Sequence, residues 1–258
     1  MKRILPLLIL PLLLGMAACS DDDSNGPPTT GTLSIHMTDA PADYDAVRIT
    51  FAEISAHING EWVVVNGNPV TVNLLEWNNG KSIEIGRNEL GPGKYTQIRL
   101  MVTKAEVVVD GVTHNVTIPS AEQTGLKLNA NFDIVAGSTY ELILDFDAHQ
   151  SIVTTGPPSN PTGYKLKPVI RVIERALTGS VSGKVSPITD PAVAMAFQTG
   201  VEITSTPVDL NTGVFKLAFL PPGTYDIAIE DINGKAWSTY DVTVVAGKDT
   251  TLGTVQLQ

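Results

Sequence analysis

The sequence predicts an all-β protein of antiparallel sandwich or barrel-like architecture, and three observations carry that expectation. Apolar residues recur at every second position in many short runs. Clusters of Asn, Asp, Gly and Pro separate those runs. No long stretch shows the three-to-four-residue apolar spacing of an amphipathic helix. Short strands following one another with turns between them, rather than helices, indicate a sandwich or barrel and not βαβ units.

The 258-residue chain opens with Lys2 and Arg3, an apolar run from Ile4 to Leu14, and small or flexible residues up to Ala18. That is the layout of a signal peptide over residues 1–18. The run is well short of the roughly 20 residues a membrane-spanning helix needs, so a retained anchor fits poorly. Met16-Ala17-Ala18-Cys19 resembles the bacterial lipobox, which implies cleavage before Cys19 and lipidation of its thiol. Cys19 is the only cysteine, so there is no disulfide framework, and lipidation leaves no free thiol for catalysis or metal binding. Several acyl chains would hold such a protein stably on a membrane.

Residues 19–30 hold three consecutive aspartates, Asp21 to Asp23, and then a Pro/Gly-rich stretch without apolar residues, which reads as a flexible acidic tether. The aspartates are either a solvated spacer or, by resemblance, the acidic export signal of some Gram-negative surface lipoproteins. The expected address is the outer membrane, exposed at the cell surface, with its periplasmic face the alternative.

Strand patterns then run through residues 31–176. Thr32 to Met37 and Val47 to Phe51 alternate, and Glu61 to Val65 and Pro69 to Leu75 flank Asn66-Gly67-Asn68, which predicts a hairpin. Tyr95 to Val102 and Ala105 to Val109 follow, with Asp110-Gly111 a strong two-residue turn into Val112 to Ile118. Leu126 to Ile134, Thr139 to Phe146 and Tyr164 to Ile173 complete the region. Five separated blocks (Leu33 to Pro41, Gly93 to Leu100, Gly125 to Leu128, Asp145 to Ala148 and Tyr164 to Ile170) resemble the bacterial lipoprotein family catalogued as domain of unknown function 4382. That resemblance implies no biochemical activity.

Near Leu177-Thr178 the organisation changes. The run Gly179 to Val185, the Asn211-Thr212-Gly213 turn, and Leu220-Pro221-Pro222-Gly223-Thr224-Tyr225 resemble the carboxypeptidase-regulatory-like or transthyretin-like module over 179–258. Such a module implies a small antiparallel sandwich, and fold alone says little about function.

The formal net charge of −10, more negative once Lys2 and Arg3 are removed, argues against nucleic acid or anionic lipid as main partner. Asp39, Asp43 and Asp45 cluster around a turn, and Asp145 and Asp147 sit two apart at a strand end. Hard oxygen ligands on loops suit Ca²⁺, while aspartates in turns also cap backbone N–H groups. No other cofactor is expected. His36, His57, His114 and His149 are dispersed; Ser151, near His149, lacks a glycine-flanked elbow, and phosphate-loop, dinucleotide and metalloprotease motifs are absent. No catalytic residue is therefore assigned. Trp77, beside Asn78-Asn79-Gly80, and Trp237, beside Ser238, are candidate ring platforms for a carbohydrate ligand, or else packing residues. Two functions stay open: a surface binding or adhesion module, for a glycan among other ligands, and a structural unit docking another envelope protein.

Overall fold

The computed structural model describes residues 27–119, 125–157 and 161–258. The signal peptide and Cys19 lie outside the described residues. The first part of the chain forms β1 (Gly31–Asp39), β2 (Ala46–Ile58), β3 (Glu61–Asn66), β4 (Val70–Asn73), β5 (Ile83–Leu90) and β6 (Gly93–Val109). It continues with β7 (Val112–Thr117), β8 (Leu126–Ile134), β9 (Thr139–Phe146), the four-residue helix α1 (Ala148–Ser151), β10 (Ile152–Thr155), β11 (Gly163–Leu166) and β12 (Ile170–Glu174). The last part forms β13 (Gly179–Val185), β14 (Ala192–Gln198), β15 (Val201–Pro207), β16 (Val214–Leu220), β17 (Gly223–Asp231), β18 (Ala236–Val244) and β19 (Asp249–Val255). The protein is all-β.

Alternation explains the layering. On β1, Leu33, Ile35 and Met37 point into the core while Ser34, His36 and Thr38 face the other way, as the two-residue period of a strand requires. One sheet runs β12-β9-β1-β5 and packs on a second ordered β10-β11-β7-β6-β2-β3, with β4 on β2 and β8 on β6. Every strand from β13 onward lies in two further sheets, β16-β13-β19 and β15-β14-β17-β18, which enclose a separate core around Phe215, Tyr225 and Ile227.

Both sandwiches follow one seven-strand plan. β5-β1-β9 matches β16-β13-β19, each with an antiparallel and a parallel neighbour on its central strand, and the β3/β4 ribbon with β2-β6-β8 matches β15-β14-β17-β18. Local chemistry repeats as well. Gly31 and Gly179 open the two central strands where an added Cβ would lie 2.4 Å from Val135 O and 2.3 Å from Val245 O, so only glycine fits. In Gly91-Pro92-Gly93-Lys94-Tyr95 the buried Tyr95 hydroxyl donates to Gly91 O at 3.0 Å. In Pro221-Pro222-Gly223-Thr224-Tyr225 the buried Tyr225 donates to Pro221 O at 2.8 Å. Each ring thus fills a core while its hydroxyl ties down the preceding turn, a bond worth about 1 kcal/mol.

Four local expectations are corrected. Asn66-Gly67-Asn68 is not a hairpin turn: β3 and β4 both pair with β2, at Ile54–Ile58 and Arg48–Phe51, because β2 is bulged between those segments. The segment between Leu75 and Tyr95 holds β5, whose Gly86-Arg87-Asn88-Glu89 run hides its alternation. Tyr95 to Val109 is one continuous strand within β6. Tyr164 to Ile173 is two strands in different sheets, divided at Pro168, which has no N–H to continue a ladder. The Asp110-Gly111 turn forms as expected, with φ of 49° and 74°. Within 19–30, Thr30 is tied to the sandwich, its O accepting from Gly137 N at 2.9 Å.

The two sandwiches meet on the outer face of the β12-β9-β1-β5 sheet. A bulge in β16 opposite Gly179 and Val181 turns Phe219 outward at φ 55°, against Ile143 and Ile173. Asn79 fixes the register of the contact: its N–H donates to Thr206 Oγ1 at 2.9 Å, and its Oδ1 accepts from Lys216 N at 2.5 Å.

Candidate functional site

Beside this contact the sandwiches part into a cleft of about 510 Å³. That size falls within the roughly 300–1,000 Å³ of ordinary ligand pockets. One wall is the outer face of β14 and β15, where Val193, Met195 and Pro207 point away from the small core whose inner positions are Ala192, Ala194 and Ala196. The opposite wall is Pro41, Ala42 and Asp43 from the β1–β2 connection, with the exposed His149 of α1.

Two loops of similar chemistry flank the cleft. In Asp209-Leu210-Asn211-Thr212, Asp209 Oδ1 accepts from Asn211 N at 3.0 Å and Thr212 N at 2.8 Å. In Asp231-Ile232-Asn233-Gly234-Lys235, Asp231 Oδ1 accepts from Asn233 N and Lys235 N, both at 2.9 Å. These side-chain bonds hold tight turns, and each turn lifts one apolar residue into solvent: Leu210 is 53% exposed and Ile232 73%. Apolar tips on otherwise polar turns are the signal that sequence reasoning passed over. Asp43, Glu202 and Glu230 stand exposed around the apolar floor. Among the described residues none of the three forms an ion pair, and no lysine, arginine, phenylalanine, tyrosine or tryptophan lines the cleft.

The five aspartates singled out from the sequence divide among separate tasks. Asp39 is 4% exposed; its Oδ1 accepts from Ala148 N at 2.9 Å, and its Oδ2 has no partner among the described residues. Burial pushes the Asp39 carboxyl well above its ordinary range, against the pull of the Ala148 N–H. Asp145 accepts from Arg171 through Nη2 at 2.5 Å and Nε at 3.1 Å. Asp147 caps α1, its Oδ1 accepting from Gln150 N at 2.8 Å. Asp45 accepts from Gly111 N at 2.8 Å, clipping the β1–β2 connection to the β6–β7 turn, and Asp43 is the cleft carboxylate. Asp39, Asp145 and Asp147 are brought near one another; Asp43 and Asp45 are not part of that group. Among the described residues no set of three or more His, Cys, Asp or Glu side chains is placed to hold a metal ion.

The tryptophans named as ring platforms are both half-buried: Trp77 packs against the large core and Trp237 against the small one. Trp62 instead lies on the large sandwich's outer face, with the Arg99 guanidinium 4.5 Å from its ring centre. His57 tilts against that ring at 5.0 Å and His114 against Tyr164 at 5.2 Å.

One serine and one histidine do meet. Ser34 Oγ lies 3.0 Å from His36 Nε2, but its hydroxyl donates to Glu84 Oε2 at 2.7 Å and Ser34 is fully buried. A serine nucleophile hands its proton to the imidazole and stands open to substrate, which this one does not. Burial, aided by the charge of Arg175, lowers the His36 pKa. Ser151, also buried, accepts from Val169 N at 2.8 Å.

The family model for a domain of unknown function (DUF4382) matches residues 30–168, more than half of the chain. No match was found among curated proteins. Among solved structures the chain is similar to the TIE protein of Bacillus anthracis, at 13% identity and a TM-score of 0.25, over 89% of this chain and 34% of that one. It is also similar to a fimbrial protein of Bacteroides ovatus, at 12% identity and a TM-score of 0.26, over 90% of this chain and 51% of that one. A minor pilin of Streptococcus agalactiae matches at 9% identity and a TM-score of 0.21, over 87% of this chain and 94% of that one. The chain thus spans about a third and about half the length of the first two.

Proposed function

Because the chain belongs to the family described as domain of unknown function (DUF4382), a description that names no activity, we propose a function from its own surfaces: a non-catalytic binding module that docks another envelope protein in the cleft between its sandwiches. One observation carries this reading. The cleft joins an apolar floor to an unpaired acidic rim, and it is flanked by Leu210 and Ile232, apolar residues that a free surface would leave in water.

The address belongs to the same proposal. The Lys2-Arg3 start, the apolar run and Cys19 support a lipoprotein cut before Cys19, anchored by lipid in the outer membrane and presented at the cell surface by its acidic tether. Among the described residues no helix is long and apolar enough to cross a membrane. The seven-strand plan of residues 179–258 supports reading that part as a transthyretin-like module. A glycan ligand is the less favoured reading, because flat exposed rings are what sugar faces stack on and Trp77 and Trp237 pack against the cores.

The test compares two ligand classes on one protein. The account expects no signal on a glycan array, and retention of one envelope protein by the wild type that is lost on Met195→Asp, a change on the half-buried outer face of β14 that spares the core. Glycan binding that is lost on Trp77→Ala or Trp237→Ala reverses the choice. Calorimetry with Ca²⁺ checks the aspartates: structural capping predicts no heat of binding and no rise in melting temperature.

A further inference from the structure

The cleft's chemistry specifies its occupant more narrowly than the word docking does. Asp43, Glu202 and Glu230 come from three elements, the β1–β2 connection, β15 and β17, and they converge on one apolar floor. Exposed carboxylates on an acidic protein repel one another, and among the described residues no lysine or arginine lines the cleft or forms an ion pair with the three, Arg171 standing outside it beside Glu202 and paired with Asp145. Beside a low-dielectric floor of Val193, Met195 and Pro207, their attraction for a cation is stronger than in open water. Met195 adapts its shape to different apolar partners, and Leu210 and Ile232 offer side chains that a ligand can cover.

We propose that the cleft binds an extended peptide segment of an envelope protein in which lysine or arginine alternates with apolar side chains. The apolar side chains lie on Met195, Pro207 and Ile232, and the cations meet Glu202, Glu230 and Asp43. An anionic segment is rejected by the same rim, which is where specificity arises. This occupant rests on the reading of the cleft as the docking site.

The probe is a fluorescein-labelled nonapeptide of alternating lysine and leucine, with glutamate/leucine and lysine/serine counterparts. Each is titrated by anisotropy at low salt into the full chain carrying Cys19→Ser. The lysine/leucine peptide binds at least tenfold more tightly than either counterpart. Glu202→Gln with Glu230→Gln weakens it at least fivefold, whereas Glu61→Gln with Asp133→Asn, carboxylates outside the cleft, weakens it less than twofold. Equal binding of the glutamate/leucine peptide, or equal effects of the two double variants, overturns the cationic occupant. An environment-sensitive fluorophore on Ile232→Cys distinguishes the failures. A response there without charge preference overturns this proposal and keeps the docking reading; binding without a response, or no binding by any of the three peptides, overturns both.

Discussion

Asp39 shows how a single buried group sets a pH dependence. Its folded pKa is raised above the unfolded value, so folding favours the protonated form. The stability this gives is fully present below the unfolded pKa of about 3.9 and is lost as pH rises from there through the folded pKa. Asp39→Asn keeps the acceptor for Ala148 N and places an amide donor where Oδ2 stands without a partner. Thermal melts are expected to show a higher Tm for the variant at pH 7, by about 2–4 °C per kcal/mol relieved, and almost no gain at pH 4. An equal loss at both values contradicts the assignment. How far such roles are legible in sequence depends on their range. The capping by Asp147 is local, its acceptor meeting an N–H three residues on, and so it was within reach of turn chemistry. The Asp145–Arg171 pair is not, because it depends on the antiparallel register of β9 with β12.

Among the elements, β16 carries the most consequence for its length. Its bulge places Phe219 at a positive φ, a costly conformation for a bulky residue, and the ring's burial against Ile143 and Ile173 offsets that cost. Phe219→Ala removes the ring and keeps the strain. The expected loss is about 3 kcal/mol, with calorimetry showing two separate melting transitions where the wild type shows one. A single transition with unchanged Tm would mean the contact does not couple the sandwiches. Strand identity was readable wherever alternation was clean, as in β1, β8 and β9. It failed at β5, where Gly86 lies against Val65 and Asn66 and charged residues follow it. The bulge itself leaves no sequence mark, since Ala218-Phe219-Leu220 looks like any apolar strand.

At the scale of the whole molecule, two sandwiches of one plan are joined so that a cleft is left between the outer face of β14 and β15 and the β1–β2 connection. The all-β class was legible from alternation and turn residues, but the shared seven-strand plan was not, because it includes β5, whose alternation is hidden. The cleft was not, because it exists only through the docking made by Asn79 and Phe219, which pair residues more than 40 positions apart in the chain. Its apolar turn tips were visible as single residues without a surface to belong to. The most direct measurement places a photocrosslinking amino acid at Ile232 in the full-length protein in living cells, with the same probe at Val112, an exposed residue of the β6–β7 hairpin that does not line the cleft. The account predicts one dominant protein adduct from position 232, lost on Met195→Asp, and none from position 112. The same adducts from both positions, or none from 232, would contradict it.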